Sequence, residues 1–282
     1  MFHYIFCLKL QSYIDKKIYL DISDYRVHYG RNARNFELIN FNTNLPIINN
    51  KKTLCSVIKY SYFAFMTRSF INRITNKFFK ITFLNPTNKT ISFPHQKFRT
   101  IRELADNLGN CNYIFREYMW DFKEFIDLKE NVLKFLTPSI LLNHKNLVIL
   151  RDIKQAKNSC FIHIRRGDYV NIPAYTLLDM KYYRKAMDII RNKLGDVEFF
   201  VFGNDINFIR ENFSNCRIIN INDEDNVSFD FILMRACKNA ILANSTLSIW
   251  LGFLCDGIVV YKRNTTPEIP LVFQTMQNHI CI

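Results

Sequence analysis

From Cys160 to Tyr261 short apolar runs rich in Val, Ile and Phe alternate with helical patterns, and this rhythm restricts the chain to a parallel α/β sheet. The runs Cys160–Ile164, Val197–Phe202, Arg217–Ile221, Ala240–Ala243 and Ile258–Tyr261 predict strands. Helices fit between them. Asp179 is placed to cap one that runs to Lys193, Asp205 one to Phe213 and Ser228 one to Lys238, and a last helix covers Thr246–Cys255. Parallel strands need crossovers of this kind, so roughly 130 residues read as a doubly wound domain.

The N-terminal half is less regular. Residues 1–15 read as helix, Lys17–Ile22 as a strand ending near Asp21 and Asp24, and Asn112–Phe135 as helix. Between 42 and 100 the chain is rich in Asn, Thr and Lys and carries few clean signals. With 282 residues and no internal repeat, two domains are expected, 1–145 and 146–282.

The stretch His163-Ile164-Arg165-Arg166-Gly167-Asp168-Tyr169 follows directly on a predicted strand. In a doubly wound sheet ligands bind beyond the carboxyl ends of the strands. Two adjacent arginines and an aspartate do not serve a core, since buried charge is costly unless paired. Guanidinium is permanently charged and offers fixed paired donors, which suits a diphosphate. The plainer reading is a solvated turn with one arginine paired to Asp168. Arg166-Gly167-Asp168 is also the cell-adhesion tripeptide, a triplet common by chance. Glycine is scarce, with 7 in 282 residues, and neither G-x-G-x-x-G nor a P-loop motif occurs. A phosphate bound here must be held largely by side chains.

The formal net charge is +13, yet the basic residues are spread along the chain. No basic arm, zinc finger or RNA-binding signature is present, so nucleic acid is not an expected partner. A weak attraction to anionic membrane surfaces is a secondary expectation. The eight cysteines show no C-x-x-C and no zinc spacing, and they read as small buried hydrophobes of a reducing compartment. Ala240–Tyr261 is long and apolar but is interrupted by Asn244, Ser245, Thr246, Ser248 and Asp256, so it reads as strand, turn, helix and strand rather than a membrane span.

Three ordered blocks resemble α-1,2-fucosyltransferases, glycosyltransferase family 11. They are the His163–Tyr169 stretch, Phe199–Phe202 followed by Gly203-Asn204-Asp205, and Asp230-x-x-x-Met234-x-x-Cys237-Lys238 leading into Ala243-Asn244-Ser245-Thr246-x-Ser248-x-Trp250. A weaker likeness covers Tyr19–Ser23 and Phe36–Leu38. The resemblance implies a GT-B-like pair of Rossmann-type domains, the C-terminal one binding the nucleotide sugar and the N-terminal one facing the acceptor. It implies inverting transfer of L-fucose from GDP-fucose, a co-substrate, to the 2-hydroxyl of a galactose-containing glycan, without metal or other cofactor. By motif position Arg165 binds the donor diphosphate, and Arg166 shares that task or pairs with Asp168. Asn244, Ser245, Thr246 and Ser248 form a second phosphate cradle at a helix N-terminus, or simply cap that helix. Asp205 and Asp230 are candidate partners of the nucleoside, with helix capping as the alternative. Asp168 and His163 are the candidate general bases. With no membrane span evident in the sequence, the expected location is the cytoplasm, with peripheral membrane contact as a secondary expectation.

Two departures stand out. Gly203-Asn204-Asp205 occupies the place of a family Ser-Asp-Asp, one acid fewer. The family opens with a short strand and a glycine-rich turn ahead of the position of Met1, about a dozen residues that this sequence lacks, so a truncated or misassigned start is expected. A catalytically degenerate nucleotide binder is therefore one competing reading. Another is a metal-dependent transferase using Asp223 and Asp225 of Asp223-Glu224-Asp225, although an acidic turn before a helix explains that triplet as well.

Overall fold

The computed structural model describes residues 1–22, 36–48, 88–92, 97–110, 112–116, 121–223, 226–265 and 269–282. The chain divides into two compact units, one of Met1–Phe36 with Thr43–Leu128, the other of Glu37–Asn42 with Lys129–Ile282. Ser23, Asp24, Glu224 and Asp225 lie outside the described residues.

In the first unit α1 (Phe2–Gln11) buries Phe2, Tyr4, Ile5, Phe6 and Leu10. It packs beside α2 (Ile101–Asp106) and a 3-10 turn at Phe122–Leu128, where Phe2 meets Phe122 edge to face at 5.5 Å. Two short parallel pairs accompany them: β1 (Leu20–Asp21) with β2 (Ile47–Ile48), and β3 (Asn88–Ser92) with β4 (Asn112–Arg116). The helix expected over Asn112–Phe135 is thus corrected. Its first five residues are a strand, and among the described residues of that range only α3 (Lys129–Phe135) is α-helical. A five-residue run holding Tyr113, Ile114 and Phe115 suits a pleated surface, and short apolar runs do not separate helix from strand by period.

The second unit is built on one parallel sheet. Its strands are β5 (Ser159–Ile164), β6 (Glu198–Gly203), β7 (Arg217–Ile218), β8 (Asn239–Ile241), β9 (Val259–Tyr261) and β10 (His279–Cys281). Their spatial order is β10-β9-β8-β5-β6-β7. Counted from β5 as the first strand, this is the 3-2-1-4-5-6 order of the dinucleotide-binding fold, read in reverse. Together with α3, the helices α4 (His144–Gln155), α5 (Met180–Leu194), α6 (Ile206–Asn212), α7 (Val227–Ala236) and α8 (Thr246–Leu254) complete the unit.

All six residues of β5 are buried, as a central strand covered on both faces requires. Cys160, Ile162 and Ile164 share one core with Tyr182, Tyr183, Ala186, Met187 and Ile190 of α5, which repeat at helical spacing on one face. Asp179, Asp205 and Ser245 cap their helices as expected, each accepting the N–H three residues on. Ser228 does not. α7 begins two residues earlier than a cap at Ser228 would place it, with Asn226 at the cap position, and the N–H of Ser228 donates to Glu37 Oε2 at 3.1 Å. An acceptor 191 residues away replaces the local cap.

Between α8 and β9 the chain passes hard against another segment. A Cβ at Gly257 would lie 1.9 Å from the Lys238 carbonyl oxygen and 2.8 Å from Asn239 Oδ1. Because the first obstacle is backbone, Gly257→Ala is expected to destabilise the protein by about 1–3 kcal/mol. Urea unfolding of the variant beside the wild type measures this.

Candidate active site at the reversal of strand order

After β5 the chain turns toward β6 and β7, and after β8 toward β9 and β10. Strand order therefore reverses between β5 and β8, which are neighbours. The crevice beyond the carboxyl ends at such a point is where this fold binds ligands. Arg165–Asp168 leaves β5 there, Asn244–Ser248 follows β8, and Asn204-Asp205 follows β6.

His163 joins two of these blocks. Its Nδ1 lies 2.6 Å from Ser248 Oγ and 3.5 Å from Ser245 Oγ. Ser248 Oγ also accepts the N–H of Ala243 at 3.1 Å, and Ser245 Oγ accepts the N–H of Ser248 at 3.1 Å. Burial, and then the nearby charge of Arg165, lower the His163 imidazole to about 3. It is neutral at neutral pH, and a neutral Nδ1 can accept the Ser248 hydroxyl. Thr246, the first residue of α8, is only partly buried.

The two arginines are held differently. Arg165 Nη2 donates to Asp168 Oδ2 at 2.5 Å, and its guanidinium carbon sits 5.5 Å from the centre of the Tyr169 ring. Arg166 lies over Phe208 at 4.1 Å and donates from Nη1 to the Leu178 carbonyl at 3.3 Å. Arg166 Nε is 3.4 Å from Asp205 Oδ2, near enough for charge attraction but not aligned as a hydrogen bond. Arg165 Nε is buried and makes no hydrogen bond to the protein. Buried guanidinium N–H groups normally have acceptors, so Arg165 keeps donor capacity that an anion would satisfy. Arg166 is tied into the protein on three sides.

Asn204 supports the turn, a part that sequence reading missed because Asn204 stood out only as a departure. Its Oδ1 accepts the N–H groups of Arg166 at 3.0 Å and Gly167 at 3.1 Å, and its Nδ2 donates to Asp168 Oδ1 at 3.1 Å. Asn244 also does structural work. Its Nδ2 donates to the Thr176 carbonyl at 2.7 Å, and its own carbonyl accepts the Tyr169 hydroxyl at 3.3 Å. Asn244 thereby holds the loop between β5 and α5. Asp205 both caps α6 and faces Arg166.

Asp230 belongs to another network. It accepts from Asn222 Nδ2 at 2.8 Å, and Asn222 exchanges two amide hydrogen bonds with the buried Asn146. Burial raises its carboxyl to about 6, with Asn222 pulling the other way. Among the described residues no group of three or more His, Cys, Asp or Glu side chains is arranged to hold a metal ion. Likewise no described helix is long and apolar enough to cross a membrane.

The description "Glycosyl transferase family 11" matches residues 1–273. The chain belongs to glycosyl transferase family 11. The likeness read from the three sequence blocks is therefore correct. Relatives of this family 11 protein include the O-antigen biosynthesis glycosyltransferase WbnK of Escherichia coli, 31% identical over 55% of this chain and 58% of its own length. An α-1,2-colitosyltransferase of Escherichia coli is 26% identical over 82% of this chain and 74% of its own. The galactoside α-(1,2)-fucosyltransferase 2 of Rattus norvegicus is 28% identical over 54% of this chain and 46% of its own. The match thus spans less than two thirds of the WbnK and rat proteins.

Proposed function

We propose that this family 11 transferase moves L-fucose from GDP-β-L-fucose to the 2-hydroxyl of a galactoside, with inversion and without a metal ion, across a two-domain GT-B-like arrangement. One observation carries the reading: the Arg165 turn and the N-terminus of α8 flank the same reversal of strand order, joined by the His163–Ser248 hydrogen bond. As the bond from the anomeric carbon to the β-phosphate oxygen breaks, negative charge builds on the departing GDP. The Arg165 guanidinium meets that charge from a fixed position. The free N–H groups and the positive end of α8 add a second source of stabilisation. The acceptor oxygen attacks from the opposite face, and its proton passes to the Asp168 carboxylate. We assign His163 no proton transfer, since it is buried and its Nδ1 is engaged by the Ser248 hydroxyl; its work is to hold Ser245 and Ser248.

A second reading, transfer of colitose by the same machinery, is favoured by the colitosyltransferase relative, which covers 82% of this chain. Nucleotide binding tests what both readings share. GDP at about 100 times its Kd is expected to stabilise the protein by about 2.7 kcal/mol, several degrees in Tm, with no change on adding EDTA and little effect of UDP. An EDTA-sensitive or UDP-selective shift would overturn the metal-free GDP reading. Transfer assays with GDP-fucose and the corresponding colitose donor then decide between the two sugars.

A further inference from the structure

Phosphate-binding loops ordinarily aim backbone N–H groups at the ligand. The turn that carries Arg165 does the reverse. The N–H groups of Arg166 and Gly167 both end on one protein atom, Asn204 Oδ1, at 3.0 and 3.1 Å. The far end of the same amide donates to Asp168 Oδ1 at 3.1 Å, and Asp168 Oδ2 receives Arg165 Nη2 at 2.5 Å. One side chain thus closes a circuit through the whole turn.

Asn204 has little freedom to do otherwise. β5 and β6 pair in register up to Ile164 and Gly203, and the next N–H, that of Asn204, reaches the Ile164 carbonyl at 3.3 Å. On the other side a Cβ at Gly167 would stand 2.7 Å from the Asn204 carbonyl oxygen. Turn and amide are fitted to each other closely enough that neither shifts alone.

We infer that Asn204 is the positioning residue of the donor site: it fixes the Arg166–Gly167 backbone directly and aims the Arg165 guanidinium through Asp168. The inference rests on the reading of Arg165 as the diphosphate ligand. It accounts for recognition by side chains, since the turn's own amides are already occupied. The two ends of the Asn204 amide are unequal. Its oxygen satisfies two backbone donors, which would otherwise lose their partner, whereas its nitrogen supports one partly exposed carboxylate. The acceptor end therefore carries most of the effect.

Two variants separate the ends. Asn204→Asp keeps the acceptor and removes the donor, while Asn204→Leu, similar in size, removes both. Calorimetric GDP titration and amide hydrogen exchange are measured on the full chain. Asn204→Leu is expected to weaken GDP binding by about 10- to 100-fold and to lose protection at the amides of Arg166 and Gly167, with the rest of β5 and β6 still protected. Asn204→Asp is expected to restore protection at both amides; because its carboxylate faces Asp168 Oδ1, its GDP affinity is expected to fall between those of the wild type and Asn204→Leu. Wild-type affinity in Asn204→Leu, or an equal loss in both variants, would overturn the inference. If the wild type itself binds no nucleotide, the functional reading falls. Amide exchange still decides the role of Asn204 in that case: loss with Leu and recovery with Asp supports it, and unchanged protection with Leu rejects it.

Discussion

Arg165→Ala is expected to lower kcat/KM for transfer by on the order of 10²–10⁵ and to abolish the GDP-induced rise in Tm. The size of the expected loss follows from the proposed role, in which a guanidinium held by Asp168 meets the charge that builds on the departing diphosphate. Its Nη2 is anchored on Asp168, while its Nε has no protein acceptor. Arg165→Lys is not expected to rescue, since an ammonium cannot bridge Asp168 and a phosphate in the same plane. Arg166→Ala differs in kind. That side chain reaches Asp205, the Leu178 carbonyl and the Phe208 ring, so its removal is expected to lower Tm as well as activity. Steady-state kinetics beside thermal unfolding distinguish the two. Near-normal turnover in Arg165→Ala would remove this residue from the chemistry.

Acid is expected to destabilise the protein through His163. In the unfolded chain this imidazole titrates near its ordinary value of 6.5, whereas in the fold it stays neutral down to about 3. Between those values the unfolded state binds the extra proton, so stability is full above about pH 6.5 and is lost as pH falls toward 3. Each tenfold difference in proton affinity between the two states is worth about 1.36 kcal/mol, so the effect amounts to several kcal/mol. Asp230 works in the other direction. Its carboxyl is raised from 3.8 to about 6, so its contribution is present at low pH and is lost as pH rises through 6. The wild type therefore shows only the difference of the two. His163→Asn, which leaves an acceptor for Ser248, isolates the histidine contribution. Relative to this variant, the wild type is expected to lose several kcal/mol between about pH 7 and pH 4 in urea unfolding. Asp230→Asn should deepen the acid loss. Parallel pH profiles for wild type and His163→Asn would show that burial does not hold the imidazole neutral.

The site is legible in part because its side chains announce their own chemistry. Arg165 and Arg166 directly after a strand have no use in a core, and Ser245 ahead of an apolar helix reads as a cap. Both inferences need only a few neighbouring residues. The partners of those side chains are not legible in the same way. Asn204 stands in the sequence as a missing acid, yet its amide closes the turn 37 and 38 residues away. Motif position puts Asn244 at the phosphate, and its amide nitrogen is found on Thr176, 68 residues back in the chain.

The sequence by itself determined the doubly wound half of the chain, most of its strands, the caps at Asp179, Asp205 and Ser245, and the blocks at the carboxyl ends of β5, β6 and β8. These follow from period, from capping and from the placement of charge at strand ends, all of which act over a few residues. Tertiary structure alone decided that Asn112–Arg116 pairs as a strand and that His279–Cys281 adds an edge beside β9. It decided that Glu37 replaces a cap at Ser228 and that Asn204 holds the arginine turn. Each depends on which backbone groups remain unpaired once the strands have chosen their neighbours and register, and no local stretch of sequence carries that information.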